Sequence, residues 1–354
     1  MSRPLPIPSV PRTPRAAVLA SIAMGIVLAL QAFPVGASAR GAGRAECPDP
    51  KGTIRAVALS APVDGTKCGL VGRTVVKGAL ALEVPPPGRA VSAAGLGVEG
   101  ETELTISTSL EGIVSIDDSS GSETASFSGA ANSAAPCDEF GIAGCLDPCV
   151  DTNFHANDRV ARVKTAQPWF FRAGSTPTGG TSTLTVEKAV THIKAGTQAI
   201  VNGKNDCGLT DPVAQTSPYK GKTQRSTGIT LPGGSIACGF DGRNVVEFGV
   251  LPPGYLGLAC SYASTVGGPW YIIEADIRLQ KGAPWTTTPD ANDCFNRYDL
   301  QGVVTHERGH AFGLSHTDEE AAHIPQTMYP SSGPCSSYAR TLGKGDHAGL
   351  SALY

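Results

Sequence analysis

His306-Glu307-Arg308-Gly309-His310-Ala311-Phe312-Gly313-Leu314-Ser315-His316 is the stretch on which the reading of this chain turns. His306 and His310 stand four apart, which on an α-helix puts both imidazoles on one face, one turn from each other, within reach of one ion. Glu307 lies beside the first of them and reaches a water on that ion without being a ligand itself. In a helix that simply continued, His316 would lie too far along the axis. Gly313 resolves this, because glycine takes a left-handed backbone at little steric cost, ends the helix and lets the chain turn back. Three neutral imidazoles suit zinc and leave a fourth position open, as a catalytic site requires. A bare HExxH occurs by chance in unrelated helices, and a lone histidine is more often packed or solvated. Here two histidines, a glutamate, a glycine and a third histidine fall at fixed offsets, and three of the chain's 7 histidines share this one segment.

Working outward, a helix is expected over 299–312, with Asp299 as its N-cap and Leu300, Val303, Val304, Ala311 and Phe312 as its apolar face. Residues 168–172 (PWFFR), 244–251 (NVVEFGVL) and 271–279 (YIIEADIRL) read as strands. Residues 185–201 carry Val186, Val190, Ile193 and Ile200 at helical spacing, and Asn202-Gly203 ends that helix. Residues 345–354 suggest a short last helix. Trp169, Phe170 and Phe171 read as core rather than as a binding platform. Strands and helices alternate, which gives a mixed α/β region from about 149 to 354.

The run HExxHxxGxxH resembles the metzincin zinc signature. Gln326-Thr327-Met328-Tyr329-Pro330 resembles the methionine turn of that group, with Met328 as an apolar floor beneath the ligands. Within the metzincins the chain most resembles the matrixins. Tyr329-Pro330, the strand Glu274-Ala275-Asp276-Ile277, Trp285, Tyr298-Asp299-Leu300 and the ending Ala348-Gly349-Leu350-Ser351-Ala352-Leu353-Tyr354 all carry the likeness. It covers roughly 150–354 and does not reach the residues before. The resemblance implies an α/β (α+β) metzincin-like catalytic domain with a mixed twisted sheet, an active-site helix and a Met-turn. It implies zinc on His306, His310 and His316, Glu307 as general base, and Tyr329 and Pro330 as walls of a substrate pocket. Calcium often accompanies such folds; Glu274, Asp276 and nearby carbonyls are its candidates, although strand carboxylates are usually just solvated. Arg308 stands where the family is usually apolar, which suggests an exposed helix face. No histidine lies between His192 and His306, so a second, structural zinc is not expected. The inhibitory cysteine motif of animal matrixins is absent; Thr66-Lys67-Cys68-Gly69 shares only its Cys-Gly pair, and a disulfide is the expected role of Cys68.

The residues before 149 are less informative. Arg3, Arg12 and Arg15 precede an apolar run over 16–33, and Ala37-Ser38-Ala39 offers a cleavage site. That is the layout of a secretory signal peptide, 1–39. Residues 40–118 form an expected small β-rich module, from the strand-like runs 74–83 (TVVKGALALE) and 101–116 (ETELTISTSLEGIVSI) divided by Pro85-Pro86-Pro87-Gly88. Residues 119–148 read as a Ser/Gly/Ala-rich linker, and 149–354 as the catalytic domain. Ten cysteines, an even number in an exported chain, read as disulfides. Counting Cys149 with the first unit puts five on each side, which asks for a bond between the units or a free thiol in each; a boundary just before Cys149 gives four and six instead.

Net charge is −3, with no Lys/Arg block, so nucleic acid is not an expected partner. Protein or peptide substrates are, with no stable membrane span once the signal is removed, and a monomer is taken as the working assembly. The expected protein is a secreted, extracellular or cell-envelope zinc endopeptidase. The alternative is a noncatalytic secreted binding protein that keeps a metzincin scaffold; the intact Glu307 argues against it. In that alternative the β-rich N-terminal unit binds a surface or matrix; a third reading makes it an inhibitory propeptide.

Overall fold

Residues rich in Val, Ile, Phe and Ala build a single nine-stranded sheet in the computed structural model, which describes residues 47–48, 52–98, 102–117, 144–157, 159–160, 162–177 and 184–354. In chain order its strands are β1 (Val63–Asp64), β2 (Arg89–Gly95), β3 (Thr102–Thr108), β4 (Ile113–Asp117), β5 (Trp169–Arg172), β6 (Tyr219–Thr223), β7 (Asn244–Gly249), β8 (Gly257–Ser264) and β9 (Tyr271–Gln280). Their order across the sheet is β6-β5-β7-β9-β8-β2-β3-β4-β1. Pairing is parallel from β6 to β9 and antiparallel from β9 onward. The expected signal peptide, 1–39, and most of the expected linker, 119–143, lie outside the described residues.

The strands before residue 118 join those after 149 through one ladder, in which Ala259, Cys260 and Ser261 of β8 face Ala94, Ala93 and Ser92 of β2. Arg44–Tyr354 accordingly forms one compact unit. The run 74–83 is a hairpin, Thr74–Lys77 with Leu80–Glu83, placed in a separate three-stranded sheet with Ile54–Arg55. The run 101–116 is two strands, β3 and β4, joined by a turn closed by the Gly112 N–H on Ser109 O at 3.0 Å. Both edges of β9 are taken, by β7 and by β8.

Alternation along the strands divides the core in two. Ala259 and Ala263 of β8 pack with Phe171, Phe248, Ile277 and the helices. Leu258 and Cys260 point the other way, onto Leu80, Leu82, Leu104 and Ile106. Helix α1 (Val186–Val201) starts at Thr185, whose hydroxyl accepts from the Lys188 N–H at 3.2 Å. Helix α2 (Leu300–Ala311) starts at Asp299, which accepts from the Gly302 N–H at 2.8 Å. Its sequence, LQGVVTHERGHA, is a poor helix former by propensity. All of its residues are buried, so packing against α1 and β8 holds it helical. Arg308 on this helix is a correction to the expected exposed face: it is fully buried. Its guanidinium donates to Thr197 Oγ1 at 3.1 Å and Gln167 Oε1 at 3.2 Å and lies 5.0 Å over the Trp169 ring. Burial lowers its pKa to about 9.

Four disulfides are formed among the described residues: Cys47–Cys68, Cys149–Cys207, Cys238–Cys260 and Cys294–Cys335. Cys149–Cys207 is the bond between the units when Cys149 is counted with the first of them, and a bond within the second when the boundary is drawn just before Cys149. Helix α3 (Lys344–Leu353) closes the chain against the region around the three histidines.

Candidate metal centre

Helix α2 presents His306 and His310 one turn apart and then stops. Phe312 is its C-cap, and Gly313 adopts φ = 97°, a conformation that glycine takes freely and other residues rarely. The chain reverses into Leu314–Ser315, which pairs with His155–Ala156, and delivers His316. The three Nε2 atoms then lie 3.0 Å (His306–His310), 3.1 Å (His306–His316) and 3.2 Å (His310–His316) apart. His306 Nδ1 is 2.7 Å from Thr327 O, and His310 Nδ1 is 2.9 Å from Leu314 O. A carbonyl oxygen only accepts, so both Nδ1 atoms carry the proton, and in the neutral rings both Nε2 atoms offer lone pairs. Burial, reinforced by the neighbouring imidazoles, holds His306 and His310 well below the ordinary histidine pKa. Burial and then Lys77 bring His316 to about 3. The rings are therefore neutral, the form in which imidazole binds a metal.

Residues from distant parts of the chain hold these rings in place. Glu103 of β3, itself buried, accepts from the Ser315 hydroxyl at 2.9 Å and from the His316 N–H at 3.3 Å. Its Oε2 also lies 3.7 Å from His316 Nδ1. Residues 326–329 form a tight turn whose Thr327 carbonyl takes the His306 proton. Asp346 of α3 fixes that turn by accepting from Thr327 N–H at 2.7 Å and Met328 N–H at 3.0 Å. It also caps its own helix through the Gly343 N–H at 2.9 Å. Met328 is buried, with its sulfur beside Gly309 between the two helical histidines. Tyr329 is half-buried and lines a pocket with Ile324, Thr327 and Ser336. Pro330 is buried and gives its carbonyl to the Gly97 N–H at 3.3 Å.

Glu307 is fully buried beside the histidines. Its Oε1 accepts from the Leu96 N–H at 3.1 Å, and Oε2 has no hydrogen-bond partner among the described residues. Burial raises its pKa well above the usual carboxylate value, with the N–H groups of Leu96 and Ala259 acting in the opposite direction. The carboxylate lies so close to β8 that a Cβ on Gly257 would collide with it.

Other sequence-based candidates lie elsewhere. Glu274 accepts from the Asp241, Gly242 and Arg243 N–H groups, and Asp276 from Gly228 and Val245. Backbone donors therefore occupy the carboxylates suggested for calcium, and nothing in the structure supports that cation there. His323 is bound to Asp151 at 2.8 Å, and His155 to Asp318 at 2.9 Å. Nothing in the sequence singled out Leu96 or Gly257 for this site. Glu103 alone carried a signal, as an acid in a β-branched run.

Residues 260–354 match the family model described as Matrixin. This part of the chain is similar to a matrixin-type metzincin catalytic domain. The match opens inside β8 and takes in α2, the three histidines, the turn at Met328 and α3. At the level of the family the matrixin-like domain is that of a metalloprotease, and zinc is the ion such domains typically bind. A search of the curated proteins finds no match to the chain. The donor set suits that ion: three buried imidazoles, two with their outer nitrogens committed to carbonyls, meet at one point beside a carboxylate with an unpaired oxygen.

Proposed function

We propose that the protein is an exported zinc endopeptidase in which His306, His310 and His316 hold one catalytic ion and Glu307 is the general base. The observation that carries this reading is the mutual approach of three Nε2 atoms to 3.0–3.2 Å. Lone pairs held that close repel one another unless a cation lies between them. Zinc bound there supplies a water acidified toward neutral pH and a Lewis acid for a peptide carbonyl. Glu307 holds and moves the proton. A buried carboxylate with raised proton affinity takes a proton readily from an acidified water and delivers it to the departing nitrogen. Its Oε1 already faces a backbone N–H, that of Leu96. Gly313 supports the reading by turning the chain toward the third ligand, and Met328 by filling the space beneath α2. Tyr329 and its pocket would receive the side chain that follows the cleaved bond; Pro330 would contribute its carbonyl to the peptide backbone. Substrates are extended peptides, which suit a groove between a strand and an irregular wall. Export is supported by the disulfides, and among the described residues no helix is long and apolar enough to cross a membrane.

Glu307→Gln tests the assignment. The variant is expected to bind zinc as the wild type does and to lose peptide hydrolysis by at least 100-fold, the lower range of general-base contributions. Zinc content by elemental analysis and turnover of an unstructured protein such as casein are the two readouts. Undiminished turnover would remove Glu307 from the chemistry, and absence of zinc from the wild type would remove the metal.

A further inference from the structure

The groove beside the histidines is filled by the protein's own chain. Strand β8 would be the edge of the catalytic sheet if the residues before 118 were absent, and β2 lies antiparallel along it from Arg89 to Ala94. Beyond Gly95 the chain continues between two walls, bonded to each in turn. The Leu96 carbonyl accepts from the Leu256 N–H at 2.8 Å. The Gly97 N–H donates to Pro330 O at 3.3 Å, and Gly97 O accepts from the Ser332 N–H at 3.1 Å. The Val98 N–H returns to the first wall, on Gly254 O at 2.8 Å. Gly97 thus bridges antiparallel to Tyr255 and parallel to Ser331. This alternation is how an extended peptide is held when it is added to a sheet edge.

The side chains agree with the backbone. Leu96 is 1% exposed and borders the pocket that Tyr329, Ile324 and Thr327 line. A Cβ on Gly95 would come within 2.9 Å of Gly257 O and Leu258 Cδ1 and 3.0 Å of the Tyr255 ring, so only glycine passes there. The peptide bond between these two residues is the one whose nitrogen faces Glu307 Oε1 at 3.1 Å. No other backbone amide of the groove-filling segment donates to that carboxylate among the described residues.

We propose that residues 89–98 are a built-in peptide occupant of the groove and that Gly95–Leu96 is the bond this site cuts in its own chain. The proposal rests on the peptidase reading above. One water is consumed: the C–N bond breaks, the water oxygen joins the Gly95 carbonyl carbon, and both water protons finish on the Leu96 nitrogen, one of them by way of Glu307. The products are a Gly95 carboxylate and a Leu96 ammonium group. Until that bond is cut or the strand is displaced, the segment excludes other peptides.

The test compares three full-length, zinc-loaded proteins: the wild type, Glu307→Gln, and Leu96→Arg, which puts a longer, charged side chain where the buried Leu96 sits. Intact mass and N-terminal sequencing are expected to find the wild type divided into chains ending at Gly95 and beginning at Leu96, with Glu307→Gln whole. Leu96→Arg is expected to resist division at this bond and, as a whole chain, to hydrolyse casein at least 10-fold faster than freshly folded, undivided wild type. Amide hydrogen exchange on metal-free Glu307→Gln reads occupancy without catalysis: Leu96, Gly97 and Val98 should be protected in the parent and exposed when Leu96→Arg is added. Exchange of these amides at the rate of unstructured chain overturns the occupancy. A wild type that hydrolyses casein while remaining whole, at the same rate as Leu96→Arg, overturns the proposal and leaves the peptidase reading standing. Failure of wild type and Leu96→Arg alike to cut casein or themselves, with zinc bound, removes that reading and the self-cleavage with it.

Discussion

Glu103 holds the third histidine by a different route from the carbonyls that take the His306 and His310 ring protons: it accepts the His316 backbone N–H at 3.3 Å, and its Oε2 lies 3.7 Å from His316 Nδ1. It does so across more than 200 positions of sequence, from a strand outside the matrixin match. Outer partners of this kind commonly govern metal affinity by about 10–100-fold. Glu103→Ala is expected to weaken zinc binding by that factor while leaving the fold intact, as read by competition with a chromophoric chelator. A second residue-scale expectation concerns His323. Its hydrogen bond to Asp151 raises its pKa above the ordinary 6.5, although partial burial opposes the shift. A histidine raised on folding contributes stability in full below its unfolded pKa and loses that contribution as pH rises through the folded value. His323→Gln should therefore cost more thermal stability at pH 5.5 than at pH 8.5, in paired melting curves. Equal losses at the two pH values would place the bond's contribution in the neutral form.

At the scale of elements, α2 and β8 are fitted to each other at one point, where Gly257 leaves room for the Glu307 carboxylate. Gly257→Ala forces one of them to move. The expected cost is about 1–3 kcal/mol in denaturant unfolding, with a loss of peptide turnover that exceeds any loss of zinc. Such close approaches also explain what the sequence left unread. Strands β7 and β9 were legible because NVVEFG and YIIEADIRL carry large β-branched and aromatic residues, and α2 because its histidines, caps and apolar positions share one period. Strands β2 (RAVSAAG) and β8 (GLACSYAS) are built from Ala, Ser, Gly and Cys, and no alternation of large and polar side chains marks them. Their residues are small because a helix packs across one and a neighbouring strand crowds the other. Arg308 misled for a related reason: its charge signals solvent, whereas Thr197, Gln167 and the Trp169 ring receive it in the interior. The three histidines of the candidate site could be read from spacing alone, because they lie within one short stretch of chain. Leu96, Glu103 and Gly257 could not, because only the folded sheet brings them to the histidines.

Among the described residues one nine-stranded sheet joins the matrixin-like half to an N-terminal half that supplies a support for His316 and, on the proposal above, an occupant for the groove. The two roles fall on opposite sides of the bond before residue 96: Glu103 stays with the matrixin-like half after the proposed cut, while β2 belongs to the other piece. Cys47 and Cys68 are the only cysteines ahead of that point, and they close on each other. No covalent tether would then retain the severed piece, whatever the thiol content of the surroundings. Its departure becomes an ordinary dissociation into two molecules, favoured by dilution and opposed by crowding. A protein that is quiet where it is concentrated would awaken as it spreads into a larger volume.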